Sequence, residues 1–287
     1  MEKKQLSMEK ARYRVMVVLS FLLTFFSVLL IIAGVVQATV MNPSYFKSVT
    51  KASGYLEECR EELEQVFTSH ATAANIEPEV FDAFLTQEYV SNIVNHNIDY
   101  IYGNGEVIDY TDISAEMQQA IIASIEARGI DVTQDIETGV QMLVETCCAD
   151  YQNTTTLPFL EFIIRGLRFA QQPVMIVLGM LAAVVLFLFV FMWMICRKAE
   201  RLLPFFIDCS AAIAILTIVA PALALAQKLF ERVAISPETV RVLMIGYANG
   251  ILKSFFLVGI AMILLAAVLA FVQIKKTKHI SPNTANS

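Results

Sequence analysis

Charged residues are scarce in this sequence. They make up 17% of its 287 residues, whereas soluble domains have about 25%, and 56% of the residues are hydrophobic. Positive charge is the scarcer sign, because 21 Lys and Arg face 27 Asp and Glu and leave a net charge of -6. These shortages exclude an ordinary soluble protein and a nucleic-acid binder that relies on overall basicity.

Motifs for catalysis or metal binding are also missing. The sequence contains no G-x-S-x-G nucleophile elbow and no phosphate-binding loop, and its five cysteines and three histidines match no metal-ligand spacing. His70 lies on an apolar stripe, which favours a hydrogen-bonded core histidine. The acidic run from Glu57 to Glu64 is typical of a solvated helix face, partly neutralised by Arg60. We therefore predict no enzymatic activity, no metal and no cofactor.

Long runs without charge are what the sequence does contain. Four such runs, of 32, 28, 19 and 21 residues, begin at Val15, Phe169, Cys209 and Ser254. A helix that crosses a bilayer needs about 20 apolar residues. We therefore predict an all-α integral membrane protein with a first transmembrane helix at 15–40. The other three, at about 174–196, 206–227 and 249–273, would form a membrane domain at 173–274.

The first apolar run follows five basic residues in segment 1–14, which is the pattern of a secretory signal. Its length exceeds the usual apolar region of about 7–15 residues, so we predict an uncleaved signal-anchor. The alternative is a signal peptide cleaved after Ala38, which would leave three spans.

Basic residues also predict the orientation in the membrane. Segment 1–14 carries five of them, the link 197–204 carries three, and the tail 275–287 carries three. Short cytoplasmic segments retain an excess of Lys and Arg. We therefore expect a multi-pass plasma-membrane protein with both termini in the cytoplasm and residues 41–172 outside, where six basic and 21 acidic residues give a local charge of -15.

Apolar residues at spacings of three and four predict that this extracytoplasmic domain, between transmembrane helices 1 and 2, is helical. We expect one helix from Tyr45 to about Ala74, a second opening at Pro78, a third from Asp112 or Ser114 and a fourth after Thr133. Residues 100–110, around Gly103-Asn104-Gly105, are compatible with a loop or a small hairpin.

Two cysteines fall on the apolar stripes of these helices. Because an extracytoplasmic compartment permits oxidation, Cys59 and Cys147 are candidates for a disulfide, with Cys148 as an alternative partner. The competing interpretation is two unpaired thiols in the core, where free cysteine behaves as a small hydrophobic residue.

Two charges lie next to the later spans. The uncharged residues after Asp208 extend about 28 Å as a helix, and those after Lys253 about 31 Å, so each run nearly crosses the hydrocarbon core alone. We therefore assign both residues to membrane boundaries rather than to a transport site.

Three further features concern helix shape and packing. Pro221 predicts a kink in the third span. Small residues four apart, which permit close helix packing, occur at Gly179 and Ala183 and at Gly246 and Gly250. The sequence Ser236-Pro237-Glu238 resembles a helix start, so we expect the fourth membrane helix to begin outside the bilayer.

The sequence thus favours a polytopic membrane protein with an extracytoplasmic binding, sensing or interaction domain. Its expected partners are the lipid bilayer and a protein that binds the outer domain or the membrane helices, and not nucleic acid. The alternative is a transporter or channel component or accessory subunit, which a hydrated cavity reaching Thr217 or Asn249 would favour.

Overall fold

The structure is a computed structural model that describes residues 2–156, 158–196 and 199–280. The described residues form helices and contain no strand, so the predicted all-α class is confirmed. The nine α-helices and one 3₁₀ segment are α1 (Glu2–Thr39), α2 (Pro43–Ala52), α3 (Tyr55–Ala73), the 3₁₀ segment (Pro78–Phe84), α4 (Gln87–Tyr102), α5 (Thr111–Ala127), α6 (Gln134–Thr155), α7 (Pro158–Cys196), α8 (Ala199–Ala226) and α9 (Glu238–Ile280).

Four of the helices are long and apolar enough to cross a membrane. The candidate spans lie at Lys10–Thr39 in α1, Phe169–Cys196 in α7, Leu202–Ala226 in α8 and Glu238–Lys275 in α9. This confirms the predicted number of membrane-spanning helices. The helices α1, α7 and α9 have 38, 39 and 43 residues, so each continues well beyond the about 20 residues that a bilayer requires.

The chain divides into two compact units. The first, which we call the membrane unit, comprises the described residues within 1–41, 171–232 and 248–287. The second, which we call the acidic unit, comprises those within 42–170 and 233–247. The acidic unit therefore contains the first turns of α9 and the residues before them, as well as the long segment that follows α1.

The core of the acidic unit is built by α3, α4, α5 and α6. On α3 the fully buried positions recur every four residues, at Tyr55, Cys59, Leu63, Phe67 and Ala71, so one stripe of the helix faces inward. The Phe67 ring contacts the rings of Phe81 and Tyr151 at centroid distances of 5.2 and 6.1 Å. Buried residues on α5 and α6 complete this core, namely Met117, Ile121, Ile125, Val140, Val144, Cys147 and Tyr151.

The predicted single helix from Tyr45 to about Ala74 is wrong, because the chain breaks between α2 and α3. Gly54 has φ +84°, a left-handed conformation that side chains with a Cβ rarely adopt. The apolar spacing of three and four runs through α3 and does not show this break.

The second predicted helix is also divided. Pro78 opens the 3₁₀ segment, and α4 begins only after Thr86, whose hydroxyl accepts a hydrogen bond from the Tyr89 N–H at 3.3 Å. Gly103, with φ +80°, ends α4, and the following residues up to Tyr110 form a loop without strands. Of the two alternatives for this region, the structure therefore has the loop.

The first turns of α9 complete the acidic unit. The helix begins at Glu238, as the sequence Ser236-Pro237-Glu238 predicts. Leu243 is 1% exposed within the core, and the Tyr247 ring contacts those of Tyr45 and Phe46 at 6.0 and 5.3 Å. The fourth membrane helix is therefore also a core element of the acidic unit.

In the membrane unit, α1 packs along α8. Met16, Leu19 and Leu23 of α1 share a buried cluster with Cys209 of α8 and Met192 of α7. The Ser20 hydroxyl lies 3.0 Å from the Cys209 thiol, within hydrogen-bond distance. Small and polar side chains thus connect two helices whose contact is otherwise apolar.

Candidate functional site

The acidic unit contains a cavity of about 460 Å³. Its walls come from α3, the end of α6, and the chain that leads into the first turns of α9. The residues that line it are Glu62, Asn153, Thr154, Thr156, Ile235, Ser236, Pro237, Thr239, Val240 and Met244. Cavities of roughly 300–1,000 Å³ hold small-molecule ligands, so this one is large enough to be a binding site.

Glu62 is placed at the wall by its position on α3. It directly precedes Leu63 of the buried stripe, and its side chain is half-buried. Arg60 pairs with two other glutamates of the acidic run, Glu57 at 2.9 Å and Glu64 at 2.8 Å. Glu62 forms no ion pair or hydrogen bond with the described part of the chain, and it is the member of that run that lines the cavity.

The end of α6 forms the second wall and is held by its neighbours. The Asn97 amide of α4 donates to the carbonyl and hydroxyl oxygens of Thr155, each at 3.3 Å. The Cys59 thiol of α3 lies 3.9 Å from the Thr154 carbonyl oxygen, to which it donates. These contacts fix the end of α6, and with it the amide and hydroxyl groups of Asn153, Thr154 and Thr156.

The third wall is the start of α9 and the residues before it. Thr239 is buried, and Leu243 anchors the next turn in the core. Glu238 pairs with Arg241 on the outer side of the first turn. Val240 and Met244 therefore line the cavity from a helix whose first two turns are fixed on both sides.

This arrangement is suited to binding rather than to nucleophilic chemistry. The lining combines one carboxylate with hydroxyl, amide and apolar side chains. Behind it, burial raises the pKa of the Cys59 thiol to about 12. Because the thiolate is the reactive form, this cysteine is protonated and inert near neutral pH.

Metal ligands are not gathered in the described part of the chain. There, no group of three or more His, Cys, Asp and Glu side chains lies close enough to hold a metal ion. The described residues that line the cavity contribute a single carboxylate.

The predicted disulfide is not supported, because all five cysteines are free. Cys59 and Cys147 are both buried, as predicted, but α3 and α6 pack in a different register. Cys59 lies next to Thr154, which follows Cys147 by seven residues, or about 10 Å along a helix. A disulfide needs Cα atoms about 4.4–6.8 Å apart. Of the two alternatives, the structure has unpaired core thiols, and Cys148 is also free.

His70 joins the same two helices. Its Nε2 atom lies 2.7 Å from an Asp150 carboxylate oxygen, and the His70 side chain is 29% exposed. His70 is therefore a hydrogen-bonded residue at the edge of the core and not within it. The apolar stripe did not predict this because the partner lies on another helix, 80 residues away.

Asp208, Lys253 and Pro221 lie on helices of the membrane unit. Asp208 and Lys253 are exposed on α8 and α9, and their position at membrane boundaries stays a prediction. The helix α8 continues through Pro221, and the predicted kink there stays a prediction. The Thr217 hydroxyl donates to the Ile213 carbonyl oxygen at 2.8 Å, so it is satisfied within its own helix.

The small residues predicted to permit close packing have different surroundings. Gly179 and Ala183 are exposed, and a Cβ at Gly179 would have no neighbour within 4 Å. Gly246 is tightly packed, because a Cβ there would lie 2.5 Å from the Ser53 Cβ. That contact lies in the acidic unit. Gly250, one turn further along α9, belongs to the membrane unit and is half-buried.

Sequence reasoning missed a tight contact in the membrane unit. A Cβ at Gly259 of α9 would overlap Ile218 Cγ1 and would lie 2.9 Å from the Thr217 hydroxyl oxygen. Residues four positions away are Phe255 and Ile263, so Gly259 does not match the pattern of paired small residues. Its role becomes visible only when α8 is placed beside it.

No protein-family model matches this chain, and neither the curated proteins nor the solved structures contain a match.

Proposed function

We propose that the chain is a polytopic plasma-membrane protein whose acidic unit lies outside the cytoplasm and binds a small ligand in the cavity. Binding there alters the fourth membrane helix. The observation that carries this proposal is that α9 contributes residues to both units. It lines the cavity with Thr239, Val240 and Met244 and continues to Ile280 without a break.

The length of α9 supports the coupling. Gly259, which packs against α8 in the membrane unit, lies 20 residues after Thr239, or about 30 Å along the helix. Packed helices respond to ligands by small shifts and rotations. A shift of the first turn of a continuous helix therefore changes the surroundings of its later turns.

The distribution of charge supports the orientation. The acidic unit includes the segment with the local charge of -15, whereas the remaining chain is basic by nine charges. The rule that cytoplasmic segments retain Lys and Arg then places both termini inside the cell. The packing of α1 against α8 gives the first span a structural role, which favours an uncleaved signal-anchor.

Topology is tested by labelling single cysteines in intact cells with a maleimide that does not cross membranes. We expect labelling of Asn104→Cys, in the exposed loop after α4, and none of Lys276→Cys until the membrane is permeabilised. The reverse pattern would invert the proposed orientation.

Coupling is tested by filling the cavity without knowledge of the ligand. A Thr156→Cys variant, with the more accessible cysteines Cys148 and Cys196 changed to serine, is modified with a benzyl thiosulfonate. A trifluoromethyl-phenylalanine at Phe256 reports on α9 by ¹⁹F NMR. Because Thr156 is not on α9, the modification acts on that helix through the cavity, and we expect the ¹⁹F resonance to shift.

The matched control carries the same benzyl group on Asn104→Cys, which is exposed in the same unit and does not line the cavity. We expect no shift of the resonance at residue 256 in this control. An unchanged resonance after modification at Thr156→Cys, or equal shifts from both positions, would contradict coupling through the cavity.

A further inference from the structure

Among the described residues that line the cavity, one is charged, and it is acidic. We infer that its ligand is a small organic cation, with a primary or secondary ammonium group bound by Glu62 and an apolar body in the remaining volume. This inference rests on the proposed function, since it names the chemical class of the ligand that the acidic unit binds.

Glu62 is not neutralised by a basic side chain of the described residues. Arg60 already neutralises Glu57 and Glu64, whereas the half-buried Glu62 carboxylate has no cationic partner among the described residues. A carboxylate that is partly removed from water gains most from a charged donor, because charge-assisted hydrogen bonds are about twice as strong as neutral ones. Glu62 is thus the hydrogen-bond acceptor in this cavity that would bind a cation.

A metal ion does not fit this site. Calcium takes about six to eight oxygen ligands, usually with several carboxylates. The described residues of the lining offer one carboxylate, and Glu57 and Glu64 of the same helix are already paired with Arg60. A single carboxylate can instead satisfy an ammonium group, which needs only hydrogen-bond acceptors around it.

The polar lining distinguishes between kinds of ammonium group. Quaternary ammonium ions are recognised by aromatic cages, and the described residues that line this cavity include no aromatic ring. It does present amide and hydroxyl oxygens from Asn153, Thr154 and Thr156. These oxygens accept hydrogen bonds from N–H groups, which primary and secondary amines have and quaternary ions lack.

The apolar lining determines the rest of the ligand. Ile235, Pro237, Val240 and Met244 supply the hydrocarbon surface, and the volume of about 460 Å³ far exceeds what an ammonium group occupies. An apolar body of ring size buries this surface on binding. The charge of -15 in the segment that supplies α3 and α6 also raises the local concentration of cations.

The test uses the full chain in phosphatidylcholine nanodiscs and three probes that share a ring, namely cyclohexylamine, cyclohexanol and cyclohexanecarboxylate. Isothermal titration calorimetry at low salt measures their binding. We expect cyclohexylamine to bind at least about tenfold more tightly than either of the other two, since the hydrogen bond to Glu62 is charge-assisted.

Two variants and one control identify the groups responsible. Glu62→Gln keeps the shape of the side chain and should weaken cyclohexylamine binding by at least about tenfold. Glu61→Gln removes the same charge from an exposed neighbour that does not line the cavity, and should leave binding within about twofold. Met244→Phe reduces the volume and should weaken binding while Glu62 is intact.

Three results would overturn the inference: preference for the carboxylate or the alcohol, absence of binding by all three probes, or equal binding by wild type and Glu62→Gln. The ¹⁹F probe at residue 256 separates this inference from the proposed function. Cyclohexylamine binding with an unchanged resonance supports the cation site and contradicts coupling. Carboxylate binding with a shifted resonance supports coupling and contradicts the cation site.

Discussion

The acidic unit and the membrane unit are both helical, but they differ in how much apolar surface they bury. The acidic unit buries its large apolar side chains, whereas the membrane unit exposes many of them. In the acidic unit, Leu63, Phe67 and Met117 are fully buried. In the membrane unit, large apolar side chains of α7 and α9 point outward, with Phe187 65% exposed and Leu257 67% exposed. Such outward apolar surface is stable in lipid and unfavourable in water. The same secondary structure therefore serves two solvents.

The difference also shows where each unit gains its stability. Burial of apolar side chains away from water stabilises the acidic unit. The membrane unit gains little from that effect, since lipid is as apolar as leucine, and depends instead on close contacts such as the one at Gly259. Side-chain truncation and side-chain addition should therefore act differently on the two units.

Leu243→Ala should lower the free energy of unfolding more than the other changes proposed below. The residue is 1% exposed, and loss of a buried leucine costs about 2–5 kcal/mol. The control is Leu257→Ala on the same helix, whose side chain is largely exposed in the membrane unit and should change stability by less than about 0.5 kcal/mol. The stability of both variants is measured by urea unfolding. The signal is tyrosine fluorescence, most of which comes from the acidic unit. Equal losses of stability in Leu243→Ala and Leu257→Ala would contradict the proposed difference between the two units.

Gly259→Ala should follow in size and act on the membrane unit. The added methyl group overlaps Ile218 and Thr217, and overpacking of this kind costs about 1–3 kcal/mol. Gly179→Ala, where a Cβ has open space, is the matched control and should have no cost. Thermal unfolding in nanodiscs, followed by the fluorescence of Trp193 in α7, compares the two. A Gly259→Ala variant as stable as wild type would show that α8 and α9 tolerate separation.

Alkaline pH should have a smaller effect, confined to the acidic unit. Burial raises the pKa of Cys59 from 9.0 to about 12, so the native state disfavours the thiolate. The stability that this group contributes is complete below pH 9 and is lost as pH rises towards 12. The loss from Cys59 alone is about 1 kcal/mol at pH 10. Urea midpoints at pH 8 and pH 10 measure it, and Cys59→Ala should reduce the difference between them.

Much of the fold follows from the sequence because it depends on local patterns. Uncharged runs predict the four membrane-spanning helices, and spacings of three and four predict the buried stripe of α5 at Met117, Ile121 and Ile125. The break at Gly54 was missed because a single glycine is compatible with an apolar pattern on both sides. Local patterns thus predict helices better than they predict where a helix is interrupted.

The cavity, and which residue of α6 lies opposite Cys59, depend on tertiary contacts. Local sequence patterns do not predict such contacts. The sequence pattern predicts that Glu62 is one member of a solvated acidic face, and only its position in the cavity lining distinguishes it from the other unpaired glutamates of that run. The predicted disulfide required α3 and α6 to pack with Cys59 opposite Cys147, whereas their packing brings Thr154 there. No local sequence pattern predicts that residues 233–247 belong to the acidic unit.

That participation has a consequence for biosynthesis. Residues 42–156 leave the ribosome well before residue 233, with two membrane helices, α7 and α8, synthesised in between. Until Tyr247 follows, the surfaces of Tyr45 and Phe46 that its ring contacts are open, and the cavity lacks one of its walls. A nascent chain therefore completes the acidic unit only when α9 begins to emerge, so a chain truncated before α9 would lack one wall of the cavity.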